Sequence, residues 1–173
     1  MKTTYPHPLD YAVGIKHVIT PLKINKEYRL SAESFYVKEI VDLNSLDFNT
    51  EKGNYVVFKV VKKNIDTLST ARVLEKYLGL PHGNVIILGL KDKNSTSTQY
   101  FFVKKELVRE YIKINECIEI GSNVEACIIG FIGRKPRKEH LLGNKFRIIL
   151  EASEKEYYMS KEILNKIIEI GVP

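Results

Sequence analysis

Between Val85 and Phe102 the chain runs apolar, then polar, then apolar again: Val85-Ile86-Ile87-Leu88-Gly89, a polar turn, and Thr98-Gln99-Tyr100-Phe101-Phe102. A short apolar run closed by glycine reads as a buried strand, and the run after the turn reads as a second strand at Thr98–Lys104. Two buried strands joined by so polar a segment must hang that segment at the rim of a sheet. It carries one carboxylate, Asp92, between Lys91 and Lys93. Neighbouring cations favour the ionised form, so Asp92 suits a nucleophile or base better than an acid.

The remaining elements fit around such a sheet. Ser34–Val41 alternates apolar and polar residues, and Tyr55–Val61 places Val56, Phe58 and Val60 on one face with Lys59 on the other, so both are predicted strands. Asp66 is a candidate N-cap for a helix whose Leu68, Ala71, Leu74 and Leu78 form its apolar face and whose end is marked by Gly79. Asn84–Leu90 reads as a strand, Lys105–Ile112 as a short helix, and Ile118–Ile120, Val124–Ile132 and Phe146–Leu150 as further strands. A last helix is predicted from a cap at Ser160, with Ile163, Leu164, Ile167 and Ile168 as its apolar side. The class is α+β, with a mixed, largely antiparallel sheet and helices on one face. Prolines at 6, 8 and 21 suggest an irregular arm over residues 1–30, with one domain over 31–173.

Composition narrows the function classes. With 173 residues and 44% hydrophobic content the chain can bury a sizeable core, so it is not a disordered segment. Lys+Arg of 27 against Asp+Glu of 21 gives a net charge of +6, which suits a polyanionic partner. No apolar run approaches the roughly 18 residues of a membrane span, and the first residues lack the apolar stretch of a signal peptide, so a cytoplasmic protein is expected. Cys117 and Cys127 lie in apolar surroundings without CxxC spacing and are expected in the core, as neither a zinc site nor a disulfide framework. The four histidines lack metal-helix spacing, and the glycines form no phosphate cradle, so neither a metal nor a cofactor is expected. Arg134-Lys135-Pro136-Arg137-Lys138, in a connection between strands, is the strongest candidate for phosphate contacts. Lys59, Lys62 and Lys63 form a second cationic group beside the helix N-terminus at Asp66–Leu68, whose free N–H groups would favour a phosphate.

Four separated segments together resemble one family. Gly89-Leu90-Lys91-Asp92 with the polar run to Gln99 is similar to the catalytic motif of the tRNA pseudouridine synthase D (TruD) family. Phe35-Tyr36-Val37-Lys38-Glu39 is similar to its Phe-x-Val-x-Glu, and Lys62-Lys63-Asn64-Ile65-Asp66-Thr67 to its Lys-x-Asn-x-Asp-Thr. Gly143-Asn144-Lys145-Phe146 looks like its Gly-Asn-x-Phe. Each motif is short, but all four occur in family order from Phe35 to Phe146. Two positions depart from the pattern: Arg29 stands where a lysine is usual, and Glu139 where a glycine is usual.

The resemblance implies an isomerase that converts a uridine of tRNA to pseudouridine with Asp92 as the catalytic residue. Whether the aspartate adds to the base or works at the sugar is left open by the sequence. By the same match Lys91, Asn144 and Phe146 border the uridine, with Arg29, Phe35, Glu39 and Lys63 as further substrate-binding candidates. Lys62, Arg134, Lys135, Arg137 and Lys138 are the expected RNA phosphate contacts. The reaction loses no group and changes no oxidation state, so one carboxylate suffices. In the family the Gly-Val-Pro found here at 171–173 leads into further catalytic sequence, so this chain is expected to be the first part of a longer enzyme, or a half that self-associates or pairs with a second chain. The alternative is a non-catalytic RNA-binding module that keeps the motifs.

Overall fold

The computed structural model describes residues 8, 12, 29–108 and 113–170. Contacts group the chain into two units, Arg29–Ile149 and a second formed by Met1–Tyr28 with Leu150–Pro173. The first unit is a mixed, mostly antiparallel sheet of seven strands: β1 (Phe35–Val41), β2 (Tyr55–Lys63), β3 (Val85–Ile87), β4 (Thr96–Lys104), β5 (Cys117–Ile120), β6 (Val124–Ile132) and β7 (Leu141–Ile148). Their order is β5-β6-β2-β4-β1-β7, and β3 pairs with β4 beside β1. The only parallel pairing among the described strands is β1 with β4, over Tyr36↔Thr96 to Lys38↔Thr98.

Helix α1 (Thr67–Leu78) covers one face of this sheet. It starts where the sequence predicts: the Asp66 carboxylate accepts the Ser69 N–H at 2.9 Å, and the same hydrogen bond holds the carboxyl below the usual aspartate range. That acceptor takes one of the free N–H groups of the helix N-terminus expected to favour a phosphate. The helix ends at Gly79, whose φ of 68° is the left-handed conformation that glycine adopts without strain. Ala71 and Leu74 pack on Val56, Phe58, Val60, Phe101, Val103 and Ile128. Leu68, expected on that apolar face, is instead exposed, because Thr67 and Thr70 take the inward positions. The opposite face is filled at one end by Leu46, Val57, Leu88, Phe102 and Ile132.

Several expected elements differ. The strand expected over Asn84–Leu90 is only Val85–Ile87, since the chain leaves the sheet at Leu88 to form the Asp92 loop. Of the helix expected over Lys105–Ile112, Lys105–Leu107 is a single 3-10 turn and 109–112 lie outside the described residues. β7 begins at Leu141 where Phe146 was expected, because its pairing with β1 extends back through Gly143 and Asn144. In the second unit, helix α2 spans Glu154–Ile170, and its cap is Ser153, not Ser160. Ser153 and Glu156 form a reciprocal pair: Glu156 Oε2 accepts the Ser153 N–H at 2.7 Å, and Ser153 Oγ accepts the Glu156 N–H at 3.3 Å. No helix among the described residues is long and apolar enough to cross a membrane.

The cysteines correct the sequence reading most directly. Cys117 on β5 stands directly opposite Cys127 on β6, and the two are joined by a disulfide. Neither is a core residue, Cys117 being exposed and Cys127 half-buried. Cross-strand register, which the spacing of ten residues conceals, brings them together.

Candidate active site

Register explains why four motifs spread along the chain matter together. Antiparallel partners and parallel partners alike point their side chains to the same face. Lys62 on β2 pairs with Ser97 on β4, Ser97 with Val37 on β1, and Val37 with Phe146 on β7, which makes one row across four strands. The next row on the same face holds Gln99 of β4, Glu39 of β1 and Asn144 of β7. This is the face that α1 covers on the β2 side. Three strand spacings separate Lys62 from Phe146, about 14 Å.

The loop from Leu88 to Ser95 crosses this face and is tied down at Gly89, Lys91, Asp92 and Ser95. Gly89 O accepts from Gln99 Nε2 at 2.9 Å. The Lys91 N–H donates to Thr67 Oγ1 at 2.9 Å, and Thr67 in turn donates to Gln99 Oε1 at 2.9 Å. Asp92 O accepts twice, from Lys62 Nζ at 2.8 Å and from Ser95 Oγ at 2.7 Å. At Gly89 a Cβ would lie 3.0 Å from both Lys91 Nζ and Leu141 Cδ2, close enough that these side-chain ends would have to shift. The backbone of Asp92 is therefore fixed while its side chain faces solvent. Among the described residues its carboxylate accepts no hydrogen bond, which leaves both oxygens free for a substrate.

Two buried cations hold the loop, and neither sits where the sequence reading placed it. Lys91 was expected to border the uridine and Glu39 to bind substrate. Instead Lys91 Nζ lies 2.8 Å from Glu39 Oε1, with the side chains 4% and 0% exposed. The other oxygen of Glu39 accepts the Tyr100 N–H at 3.0 Å. This bond fills a gap: β1 pairs with β4 up to Thr98, β3 pairs with it from Phe101, and Tyr100 has a strand partner from neither. Burial, with the Glu39 charge beside it, raises the Tyr100 phenol above its ordinary value.

Lys62 was expected on RNA phosphates and is fully buried. Its ammonium donates to the carbonyls of Ile65 and Asp92, both at 2.8 Å, so its task is to clamp two loops together. Burial pushes its pKa down to about 8, against the opposing pull of Asp66 and Asp92 and with a further push from Lys91.

The other candidates divide into two groups. Phe146 is 58% exposed and stacks on Phe35 with centroids 6.1 Å apart and planes 8° apart, giving a paired aromatic surface on the motif face. Asn144, directly opposite Glu39, is exposed beside it. Lys63, at the end of β2, is exposed and pairs with Glu33 at 2.9 Å, and Arg29 is exposed just before β1. The basic loop lies elsewhere. Its start follows Ile132, which pairs with Tyr55 at the opposite end of β2 from Lys62, and its last turn, Lys138–His140, leads back to Leu141 opposite Val41 of β1. There Arg134 Nε bonds Asp47 at 2.8 Å, Arg137 approaches Glu139 at 3.9 Å, and Lys138 is exposed. Lys135 lines a groove of about 810 Å³ with Tyr55, Lys104, Lys105 and Phe131, which does not include Asp92.

Sequence reasoning missed Thr67, Gln99 and Ser95 as supports of the loop. Thr67 and Gln99 are polar residues at inward positions of a helix and a strand, which was the available signal.

Comparison with known proteins agrees with the motifs. A protein of Archaeoglobus fulgidus named probable tRNA pseudouridine synthase D is 33% identical over 171 residues, which is 95% of this chain and 38% of its own length. The tRNA pseudouridine synthase D of Aquifex aeolicus is 31% identical over 79% of this chain and 34% of its own. The chain thus spans little more than a third of these relatives. The crystal structure of a protein titled putative tRNA pseudouridine synthase D from Methanosarcina mazei superposes with a TM-score of 0.73 at 22% identity, over 98% of this chain and 36% of that one, and speaks for the fold. The family model for tRNA pseudouridine synthase D (TruD) matches residues 12–173, and the chain belongs to that family.

Proposed function

We propose that this chain carries the catalytic-aspartate part of a tRNA pseudouridine synthase, with Asp92 as the reacting carboxylate. The observation that carries this reading is an exposed carboxylate on a backbone held by Lys62, Ser95 and Thr67. Catalysis by one group demands such fixed geometry, because a misplacement of about 1 Å can cost ~10²-fold in rate. The reaction breaks the N-glycosidic bond of uridine, turns the base, and joins carbon to the sugar, with the displaced proton returned to the base nitrogen. Atoms and electrons balance without a cofactor. The uridine must first leave its stack, at a cost of a few kcal/mol. The Phe35–Phe146 pair offers an apolar surface to receive it, with Asn144 as a polar neighbour. Arg134, Lys135, Arg137 and Lys138 would meet a neighbouring part of the same RNA backbone.

A second reading is favoured by β7, an edge strand among the described residues that exposes Leu142 and Phe146. Here the chain is an RNA-binding half whose site is completed by further chain, a second copy or another protein. Pseudouridine formation on unmodified tRNA, measured together with sizing by light scattering, separates the two. Turnover by this chain that Asp92→Asn abolishes, with tRNA affinity kept within a few-fold, supports the catalytic reading. Residual turnover above about a tenth of wild type in Asp92→Asn would remove Asp92 from the role. Affinity without turnover, in a self-associated chain, favours the second.

A further inference from the structure

Among the described residues the sheet face turned away from α1 is filled only at one end, and at the other its side chains are exposed and strongly basic. Lys59 is exposed although β2 is an interior strand, flanked by Cys127 of β6 and Tyr100 of β4. Lys38 on β1 neighbours Thr98 of β4 on one side and Lys145 of β7 on the other. Arg147, two residues along β7 and on the same face, lies opposite Tyr36 with its guanidinium 5.7 Å from the ring centroid. Lys38, Lys59, Lys145 and Arg147 are all exposed, and none pairs with an acid among the described residues. Among the acids of this face, Glu119 and Glu125 stand opposite each other on β5 and β6 at the far margin, and Glu33, by the end of β2, is taken up by Lys63 at 2.9 Å. Charge therefore rises across the face from β5 to β7.

This placement is unfavourable for a sheet that meets only water. Lys38 and Lys145 are direct cross-strand partners, and like charges directly opposite are destabilising. With Arg147 about 7 Å further along the same strand, three cations share a small area. An anion seated among them turns that repulsion into attraction. The strands from β2 to β7 span about 14 Å, so the patch meets several phosphates of one nucleic-acid strand at once.

We propose that this open face is an RNA backbone site, distinct from the Asp92 loop on the opposite face and from the Arg134–Lys138 loop. The inference rests on the reading of the chain as a protein that acts on tRNA, and it adds the surface on which a second part of the RNA lies. Lys38, Lys145 and Arg147 hold phosphates, and Lys59 extends the track toward the middle of the sheet. An acidic protein segment is the competing occupant. RNA is favoured because its charges recur at fixed spacing along one strand and because Tyr36 and Tyr100 lie among the cations, where a base can stack.

The test is tRNA binding by the chain across a range of salt concentrations, for wild type, for Lys38→Gln/Lys145→Gln/Arg147→Gln, and for Arg134→Gln/Arg137→Gln as a reference. Each phosphate contact contributes about 0.9 to the slope of log affinity against log salt on duplex, and about 0.7 on single strands. The triple variant is expected to lower the slope by roughly 2–3, with its melting temperature unchanged or raised by the relieved repulsion. A slope equal to wild type would overturn this site while leaving tRNA as the partner. No tRNA binding by wild type, even at low salt, would overturn the partner itself. Poly-glutamate competing as well as tRNA at equal charge would overturn RNA as the occupant in favour of an acidic protein.

Discussion

Lys91→Ala is expected to destabilise the chain by about 3–5 kcal/mol, the usual cost of breaking a buried ion pair from one side. In a protein of this size that lowers the melting temperature by on the order of 10 °C. The cause is what remains: a Glu39 carboxylate with no exposure, whose one other bond is to the Tyr100 N–H. The remedy is specific. In Glu39→Gln/Lys91→Met the amide oxygen still accepts from Tyr100, no charge is buried, and most of the loss should return. Denaturant unfolding of the two variants measures both effects. A single variant costing less than about 1 kcal/mol, or a double variant no better than the single, would show that the pair does not anchor the loop.

Lys62→Met should separate stability from function. The substitution keeps the stem that fills the interior but removes the donor to Ile65 O and Asp92 O. Leaving the Ile65 carbonyl unpaired costs about 1–3 kcal/mol, which removal of a buried charge offsets. The net change at neutral pH is then small. The pH dependence is more telling. With the folded pKa near 8 and the unfolded value near 10.5, the folded state holds fewer protons between them, so stability rises with pH across that window. The rise is on the order of 3 kcal/mol for a shift of this size, and in Lys62→Met it should vanish. The Asp92 loop should meanwhile lose its position, seen as shifted amide resonances for residues 91–95 and as a fall of ~10²-fold in any turnover that Asp92 supports. Unchanged resonances, or a pH profile shared by wild type and variant, would count against the clamp.

Much of the fold was legible because it follows from local rules. Asp66 and Gly79 announce both ends of α1, and the alternation of Val56, Phe58 and Val60 announces β2. Carried two residues further, that alternation already points Lys62 inward, against the expectation that a lysine belongs on phosphates. The missed features depend on partners distant in sequence. β7 is a strand through Gly143-Asn144 because β1 pairs with it, not because those residues favour extension. Leu68 turns outward because Thr67 is needed under the loop. The Ser153–Glu156 capping box is readable in the sequence, and it starts the helix seven residues before the Ser160 cap expected from the apolar periodicity. At the site, Asp92 was recognisable from its motif, whereas the tasks of Glu39, Lys62 and Lys91 emerge only from register.

The bond from Glu39 to Tyr100 makes a side chain do the work of a missing stretch of strand. That ties positions 39 and 91 into one heritable character, although 52 residues separate them. A lineage that loses the acid must lose the lysine in the same step or carry a buried orphan charge. A lineage that loses both gives up one tie of the loop and keeps those from Gln99, Thr67 and Lys62. Drift at either position alone is disfavoured by the architecture itself, whatever chemistry the loop performs, so these two residues should persist together even in descendants whose loop carries no aspartate.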